Sequence, residues 1–364
     1  MSFIKYIIVR LINAFIIFAI VLFIASIAFN GFIEANLKAK IEKEINTELL
    51  TNPQLKQSLG GNVTAYEIWR NKMRRIKYKQ YGLDKPLIVR ILSRWIQQVT
   101  FQWGEASNIK LRTRTGSLKV SDIIVEALPR TFLLFGLGSI VVILVGIYIG
   151  LVSSKETHRM FPTMVTIWSL FSTGLPVWWV GMALIMIFSY QLGLFPTGGI
   201  LSAPAPKGPL VILDVLYHLF LPLFSLVIAN SGYWAYIVRN LVITNVKEGF
   251  TYFAKAKGIS DGVILKKHVL KASSPSIVTM AGIGLFSALG GSLLCEIVFN
   301  WPGMGMLLWK AIGIEKESFN PDVPVLLGIT STSTILFLAI MLLLDLSYGV
   351  LDPRVRVGVM EREK

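Results

Sequence analysis

Cysteine is nearly absent: Cys295 is the single one in 364 residues, which excludes a disulfide framework and any thiolate metal cluster built from this chain alone. Histidine is almost as scarce. His158, His218 and His268 lie far apart in sequence, so a histidine metal site is not expected. Charged residues make up 16% of the chain, against about 25% in ordinary soluble domains. No G-x-x-x-x-G-K-[ST] phosphate loop is present, so nucleotide hydrolysis is not expected from this chain. What is abundant is apolar: 54% hydrophobic residues, with 21 Phe, 11 Tyr and 9 Trp, and a mean hydropathy of +0.62. Such a chain is neither disordered nor collagen-like. The net charge of +15 would suggest nucleic acid in a soluble protein, but here it has to be read against a membrane.

Uncharged stretches of about 20 residues are long enough to cross a bilayer core as helices, because each residue rises about 1.5 Å. Six are found: Leu11 to Phe29, Thr131 to Ser154, Thr163 to Tyr190, Leu219 to Val238, Ala272 to Cys295 and Val323 to Leu344. The first follows basic residues, yet it is too long for a signal-peptide core and lacks a small-residue cleavage site, so a retained span is expected. Gly174-Leu175-Pro176 interrupts the third, and the backbone groups freed there predict that this side faces the bundle rather than lipid. Pro275 is expected in the first turn of the fifth. The alternating segments of a membrane β-barrel are not seen.

Lys and Arg in short loops mark the cytoplasmic side. The connection from Arg239 to Lys271 carries seven of them against Glu248 and Asp261, whereas Gln191 to Leu210 carries only Lys207. Lys5, Arg10, Lys155, Arg159, Arg354 and Arg356 agree with the first connection being inside, so both termini are expected in the cytoplasm. Residues 31–130 hold eighteen Lys and Arg against nine acids and are placed outside, since long segments translocate largely regardless of charge.

This external insertion reads as helical. Ile88, Ile91, Leu92, Trp95, Ile96 and Val99 recur at helix spacing with Arg90, Arg94 and Gln97 between them. Such an amphipathic helix lies on the outer membrane face, covers the mouth of the bundle, or packs on neighbouring loop segments. Ser121 before Asp122 reads as the N-cap of the helix leading into the second span. Asn62-Val63-Thr64 fits the N-glycosylation pattern.

On the inner side, Phe250 to Gly258 reads as a short helix stopped by a glycine, with Ser260 or Asp261 capping a second short helix through Lys271. Small residues at Ala254, Ala256 and Gly258 allow another surface to approach the backbone, while Lys255 and Lys257 stay solvated or meet acidic groups of a partner. An interfacial helix with no partner has the same pattern.

With its neighbours, this stretch resembles the permease subunits of ATP-binding-cassette (ABC) importers, in the dipeptide, oligopeptide and nickel branch. Ala254-Lys255-Ala256-Lys257-Gly258, then Ile259 and, ten positions beyond the glycine, His268, look like that branch's EAA loop. Further matches are His218-Leu219-Phe220-Leu221-Pro222, the run Glu296 to Gly305, Asp345-Leu346-Ser347-Tyr348 and Leu351-Asp352-Pro353-Arg354. Tyr81-Gly82-Leu83-Asp84-Lys85-Pro86-Leu87 and Leu128-Pro129-Arg130-Thr131 are also similar. There are departures. Tyr252 and Phe253 stand where the loop has its glutamate and first alanine, the Pro-Gly-Asp motif after the first span is missing, and Gly31 to Gln80 matches nothing in the family.

The resemblance implies an all-α membrane protein with six transmembrane helices of the type I importer permease fold and a helical extracellular insertion between the first two. It implies an N-terminal span over residues 1–30, the insertion over 31–120, a permease core over 121–357 with a coupling segment at 239–271, and a cytoplasmic tail over 358–364. Ala254, Lys255, Ala256, Lys257, Gly258, Ile259 and His268 would form the contact with a cytoplasmic ATPase, whose closure on nucleotide rocks the spans. The implied partners are a second homologous permease subunit, two ATPase subunits, an extracellular substrate-binding protein and the lipid bilayer, with no nucleic acid. ATP and Mg belong to the ATPase subunits, and this chain binds no cofactor. The location implied is the plasma membrane.

Ionisable groups sit at span ends, with Asp214 and His218 before the fourth, Glu296 after the fifth and Asp345 at the end of the sixth, which argues against a proton-driven carrier. Pro176, Trp178, Trp179, Glu296 and Asn300 are the candidate pathway residues. Glu296 either meets a cationic substrate or the binding protein in the outer vestibule, or orders the Asn300-Trp301-Pro302-Gly303 turn. Trp178 and Trp179 either line the path or pack between helices. His268 is a pH reporter or a partly buried structural residue, and Cys295 a small core residue. The expected substrates are di- or oligopeptides, with oligosaccharides and nickel chelates as alternatives. A secondary transporter or channel is a competing class. A membrane enzyme is another, and it would need paired Asp, a Ser/His set or a His cluster at one depth.

Overall fold

A computed structural model describes residues 3–59, 63–155, 160–290, 292–315, 318–319 and 321–351. Asn62, Arg159, Arg354, Arg356 and the 358–364 tail lie outside the described residues. In chain order come α1 (Phe3–Thr51), α2 (Pro53–Leu59), α3 (Val63–Gln80) and α4 (Leu87–Val99). Then α5 (Val120–Thr131) passes through a π-helical turn into α6 (Leu137–Lys155), followed by α7 (Met160–Gly174), α8 (Val177–Leu184) and α9 (Leu210–Val246). The remainder is α10 (Gly249–Ala256), α11 (Asp261–Ile264), α12 (Leu270–Gly290), α13 (Ser292–Val298), α14 (Met304–Ile312) and α15 (Val323–Leu351). Ile314–Glu315 and Ser318–Phe319 pair as a small antiparallel ladder.

Among the described residues, four helices are long and apolar enough to cross a membrane, starting at Ile7, Val120, Leu210 and Val323. Met160–Gly174 and Val177–Gln191 make a fifth if counted together, but they are bent by 99° at the Gly174-Leu175-Pro176 break. The stretch expected as the fifth span falls on α12 and α13. Some expected boundaries move. α5 begins at Val120, so Ser121 is inside its first turn. α11 and a π-helical turn lead directly into α12, so Pro275 stands within the helix, and no separate second short helix ends at Lys271. α9 starts at Leu210, which puts Asp214 and His218 in its first turns rather than before it.

By contacts the chain divides into two units, residues 1–12, 124–310 and 336–364, and residues 13–123 with 311–335. In the first unit α9 is the hub, packed on α6, α7, α8 and α12. Lipid tails are as apolar as leucine, so helices in a membrane associate by close packing, which small residues permit. Gly146 and Gly150 on α6 provide it. A side chain at Gly150 would run into the Ala235 carbonyl at 2.6 Å and Val238 Cβ at 2.8 Å, and one at Gly146 into Trp234. On the opposite flank, Trp168 of α7 donates its indole N–H to the Ile228 carbonyl at 3.3 Å. Arg10 near the start of α1 pairs with Asp345 near the end of α15 at 3.3 Å.

In the second unit, α1 runs through the expected boundary at residue 30 without interruption, carrying the apolar run and the start of the insertion on one rod. Beyond the apolar run, the acids of α1 hold α3. Glu42 accepts from Arg70 Nη2 at 2.6 Å and Arg74 Nε at 2.7 Å, and Glu44 accepts from Lys77 Nζ at 2.9 Å and Tyr81 Oη at 2.6 Å. α3 has no buried residue, so charge rather than apolar burial docks it. The bonds from Arg74 and then Arg70 hold Glu42 below the ordinary carboxylate range, and those from Lys77 and then Tyr81 do the same for Glu44. A carboxylate with a depressed folded-state pKa stabilises above its ordinary titration range, and this contribution is lost as pH falls through the folded value. Because these pairs are partly exposed, solvent and salt screen them and each contributes little. Glu42→Gln at neutral pH is therefore expected to speed amide exchange across Val63–Gln80 while leaving the apolar part of α1 unchanged. Wild-type protein should show the same loosening in strong acid or in 1 M salt, where the screening length is about 3 Å.

Candidate functional site

The inner segment is built around a helix stop. α10 ends at Ala256 with Lys257 as its C-cap, and Gly258 has φ +74°, a conformation that costs a residue with a Cβ but not glycine. Gly258 N–H donates to the Lys255 carbonyl at 2.9 Å and Ile259 N–H to the Ala254 carbonyl at 3.2 Å, the paired bonds of a Schellman stop. Lys255 Nζ bridges the turn to Asp261 Oδ1 at 2.9 Å. At the other end, Thr251 is buried and donates to the Val246 and Glu248 carbonyls at 2.5 and 2.7 Å, fixing α10 to the end of α9. Asn245 Nδ2 donates to Ser273 Oγ at 2.9 Å, tying α9 to α12. α10 is thereby joined to two long helices.

The faces of α10 differ from expectation. Ala254 is buried against its own chain under the helix stop. Ala256, Lys255, Lys257 and Gly258 are exposed, Ile259 is half-buried, and His268 is exposed rather than partly buried, because it lies on the outer side of the π-helical turn. The largest apolar surface offered is Tyr252 and Phe253, 65% and 73% exposed. These are the two positions where the sequence departs from the family loop, and the departure itself was the available signal.

At the opposite end of the unit, two motifs clasp each other. Glu296 is completely buried; its Oε1 accepts from Thr131 Oγ1 at 2.7 Å and its Oε2 from Met306 N–H at 2.9 Å. Thr131 Oγ1 in turn accepts from Met304 N–H at 2.7 Å, and Trp301, also fully buried, donates its indole N–H to the Arg130 carbonyl at 2.9 Å. Arg130 donates to the Pro302 carbonyl at 3.2 Å and pairs with Glu126 at 2.7 Å. Gly303 lies against this cluster, and any side chain there would strike the Glu296 carboxylate and Thr131 Oγ1. Glu296 thus orders the turn, and no face of it is open within this chain. Asn300 sits exposed at φ +47° on the same turn.

The loop after α8 is tied down beside it. Gly199 N–H donates to the Phe299 carbonyl at 2.8 Å, and His218 Nδ1 meets the Gly198 carbonyl at 3.1 Å. Ser202 donates to Asp214 through both N–H (2.7 Å) and Oγ (2.6 Å), and lies 3.2 Å from His218 Nε2. Serine, histidine and aspartate meet here, but the carboxylate accepts from the serine itself and the histidine Nδ1 faces a backbone carbonyl. In a hydrolytic relay the aspartate orients the histidine, so this arrangement is a loop clamp. Among the described residues, no group of three or more His, Cys, Asp or Glu is placed to hold a metal.

Pro176 is exposed, Trp178 is half-buried and Trp179 is 49% exposed. The expected inward-facing side of the break is thus uncovered within this chain.

Comparison with known proteins gives a consistent picture. A family described as "Binding-protein-dependent transport system inner membrane component" matches residues 142–357. The chain is 30% identical over 277 residues to the oligopeptide transport system permease protein AppB of Bacillus subtilis, covering 76% of this chain and 83% of that one. It is 29% identical over 278 residues to a putative peptide permease protein of Brucella suis, with 76% and 82% covered. With the probable D,D-dipeptide transport system permease protein DdpB of Escherichia coli the identity is 26% over 296 residues, with 77% and 83% covered. A solved structure of the MetNI methionine ABC transporter in inward-facing form aligns with 63% of this chain and 95% of that one at 15% identity, with a TM-score of 0.48, too low to carry an argument.

Proposed function

Because the chain belongs to the family of binding-protein-dependent transport system inner membrane components, the permease subunits of ABC importers, we propose that it forms half of the path by which an ATP-driven importer moves peptides across the plasma membrane. The other half is a second, homologous permease subunit against the open side of the Gly174-Leu175-Pro176 break, with Pro176, Trp178 and Trp179 toward the path. Two cytoplasmic ATPase subunits bind ATP and Mg, and a substrate-binding protein delivers the cargo from outside. Six spans place both termini in the cytoplasm and residues 31–120 outside. The chain itself catalyses no reaction.

The inner segment carries this reading. α10 presents Tyr252 and Phe253 outward from a base fixed by Thr251 and Ala254. Such a knob fits a cleft on a soluble subunit, and the Asn245–Ser273 bond passes its displacement to α9 and α12. ATP-driven closure of the ATPase pair then biases the permease between two packed states. Peptides are favoured as cargo because relatives that align over three quarters of this chain carry peptide-transport names. The assembled transporter with its binding protein is expected to hydrolyse ATP faster on addition of short peptides, and not on addition of oligosaccharides or nickel chelates. A response to oligosaccharides alone would reassign the cargo.

A further inference from the structure

α4 does not lie across the end of α1 but runs down its side. Gln98 Nε2 donates to Ser26 Oγ at 2.6 Å, Arg94 Nη1 to Asn30 Oδ1, and Arg90 Nη1 pairs with Glu34 Oε1 at 2.9 Å. These three rungs are four residues apart on both helices and run in opposite directions. As α4 proceeds from Arg90 to Gln98 it therefore descends from Glu34, the first charge on α1 after Arg10, into the apolar run. The drop between the outer rungs is about 12 Å at 1.5 Å per residue. It continues beyond the helix. Trp95 donates to the Ala19 carbonyl at 2.8 Å and stands edge-on to Phe23, and Phe101 stacks on Phe18 at 6.2 Å. Phe18 and Ala19 are near the middle of the Leu11–Phe29 run.

α15 supplies an independent depth gauge. Trp103 Nε1 donates to Ser331 Oγ at 3.3 Å, whereas Asn108 N–H donates to Asp322 Oδ2, just ahead of that helix, at 2.7 Å. Between Trp103 and Asn108 the chain climbs back along the nine residues separating Ser331 from Asp322, about 13 Å. Both gauges place the tip well inside a hydrocarbon core about 30 Å thick.

The two faces of this segment match two different solvents. Ile88, Leu92 and Ile96 form an exposed row at helix spacing, with Phe101 exposed at the tip, and Ile20, Ile24 and Ile27 of the adjoining α1 are exposed as well. The other face lines a cavity of about 420 Å³ with Arg94, Gln98, Gln102, Trp103, Val323 and Leu327. Gln98 is only 2% exposed, and both its Oε1 and the Nε of Arg90 lack a protein partner. Non-helical backbone and charge are tolerated at membrane depth only where they are buried in protein or face water. A cavity of this size, lined by Arg94, Gln98 and Gln102, has room for several waters.

We infer that residues 87–108 form a re-entrant hairpin in one leaflet of the bilayer, with lipid acyl chains against the Ile88, Leu92, Ile96 and Phe101 row and a hydrated cavity behind it. The part of the chain that the family match does not reach thus includes a membrane-embedded element. That the leaflet is the outer one rests on the topology proposed above; the depth does not.

Wild-type protein in liposomes whose lipids carry a photoactivatable carbene precursor on the acyl chain tests the lipid face without any substitution. Insertion at Leu92, Ile96 or Phe101 as strong as at Ile20 and Ile24 is expected, and α1 labelled with residues 87–101 blank would overturn the hairpin. Nitroxide labels in a Cys295→Ala background test both faces. Leu92→Cys should collide with oxygen in preference to an aqueous nickel complex, and Gln102→Cys the reverse. Equal nickel access at both positions would mean a helix lying free in water and would overturn the hairpin. If the nickel complex reaches Gln102→Cys only from the inner side, the proposed topology fails while the hairpin stands.

Discussion

Glu296→Ala is expected to lower the stability of this protein by about 2–4 kcal/mol, because it strands two hydrogen-bond donors in a buried site. Thr131 Oγ1–H and Met306 N–H both point at the carboxylate, and Glu296 has no exposed surface through which water could replace it. The loss would spread, since Thr131 also receives Met304 N–H and the Trp301 indole is held by Arg130 next door. Glu296→Gln is expected to retain most of the stability, because its amide oxygen still accepts from Met306 while its NH₂ faces a hydroxyl that can accept. Gly303→Ala should resemble Glu296→Ala, since the added methyl meets the Glu296 carboxylate and Thr131 Oγ1. Thermal unfolding in mild detergent reads all three. If Glu296→Ala unfolded like wild type but altered cargo selectivity, the residue would face the path after all.

The second large effect is expected at the inner knob. Phe253 is mostly exposed, so Phe253→Ser should leave the folded chain unharmed. If Phe253 anchors an ATPase cleft, its loss removes about 2 kcal/mol of contact, roughly thirtyfold in affinity. Gly258→Pro acts differently. Proline holds φ near −65° and has no N–H, so it can neither adopt the +74° backbone nor bond the Lys255 carbonyl. The expected result is normal insertion with loss of substrate-stimulated ATP hydrolysis. Gly258→Asn should keep much of it, because asparagine tolerates the left-handed region. Equal loss in Gly258→Asn and Gly258→Pro would contradict the role of the helix stop.

The long helices were legible because uncharged runs of span length have few other uses, and the break at Gly174-Leu175-Pro176 could be read from its residues. Its 99° bend could not, since proline and glycine permit a bend without setting its angle. Likewise the stop at Gly258 was readable from the glycine, whereas the burial of Ala254 was not, because spacing along a helix does not say which face its own chain covers. The continuation of α1 to Thr51 does leave a signal in the sequence. Ile41 and Ile45, both fully buried, are four residues apart in a stretch of helix-forming Lys, Glu and Ala without Pro or Gly. The Glu296 clasp and the Arg90–Gln98 ladder join residues distant in sequence, and one sequence carries no record of such pairings.

Solute flux into proteoliposomes tests the central claim most directly, comparing this chain by itself with the same chain assembled with its second permease subunit, ATPases and binding protein. Coupling through α10 predicts accumulation of peptide only in the full assembly and only with ATP present. Peptide crossing at the same rate through this chain unaided, with no nucleotide, would contradict it.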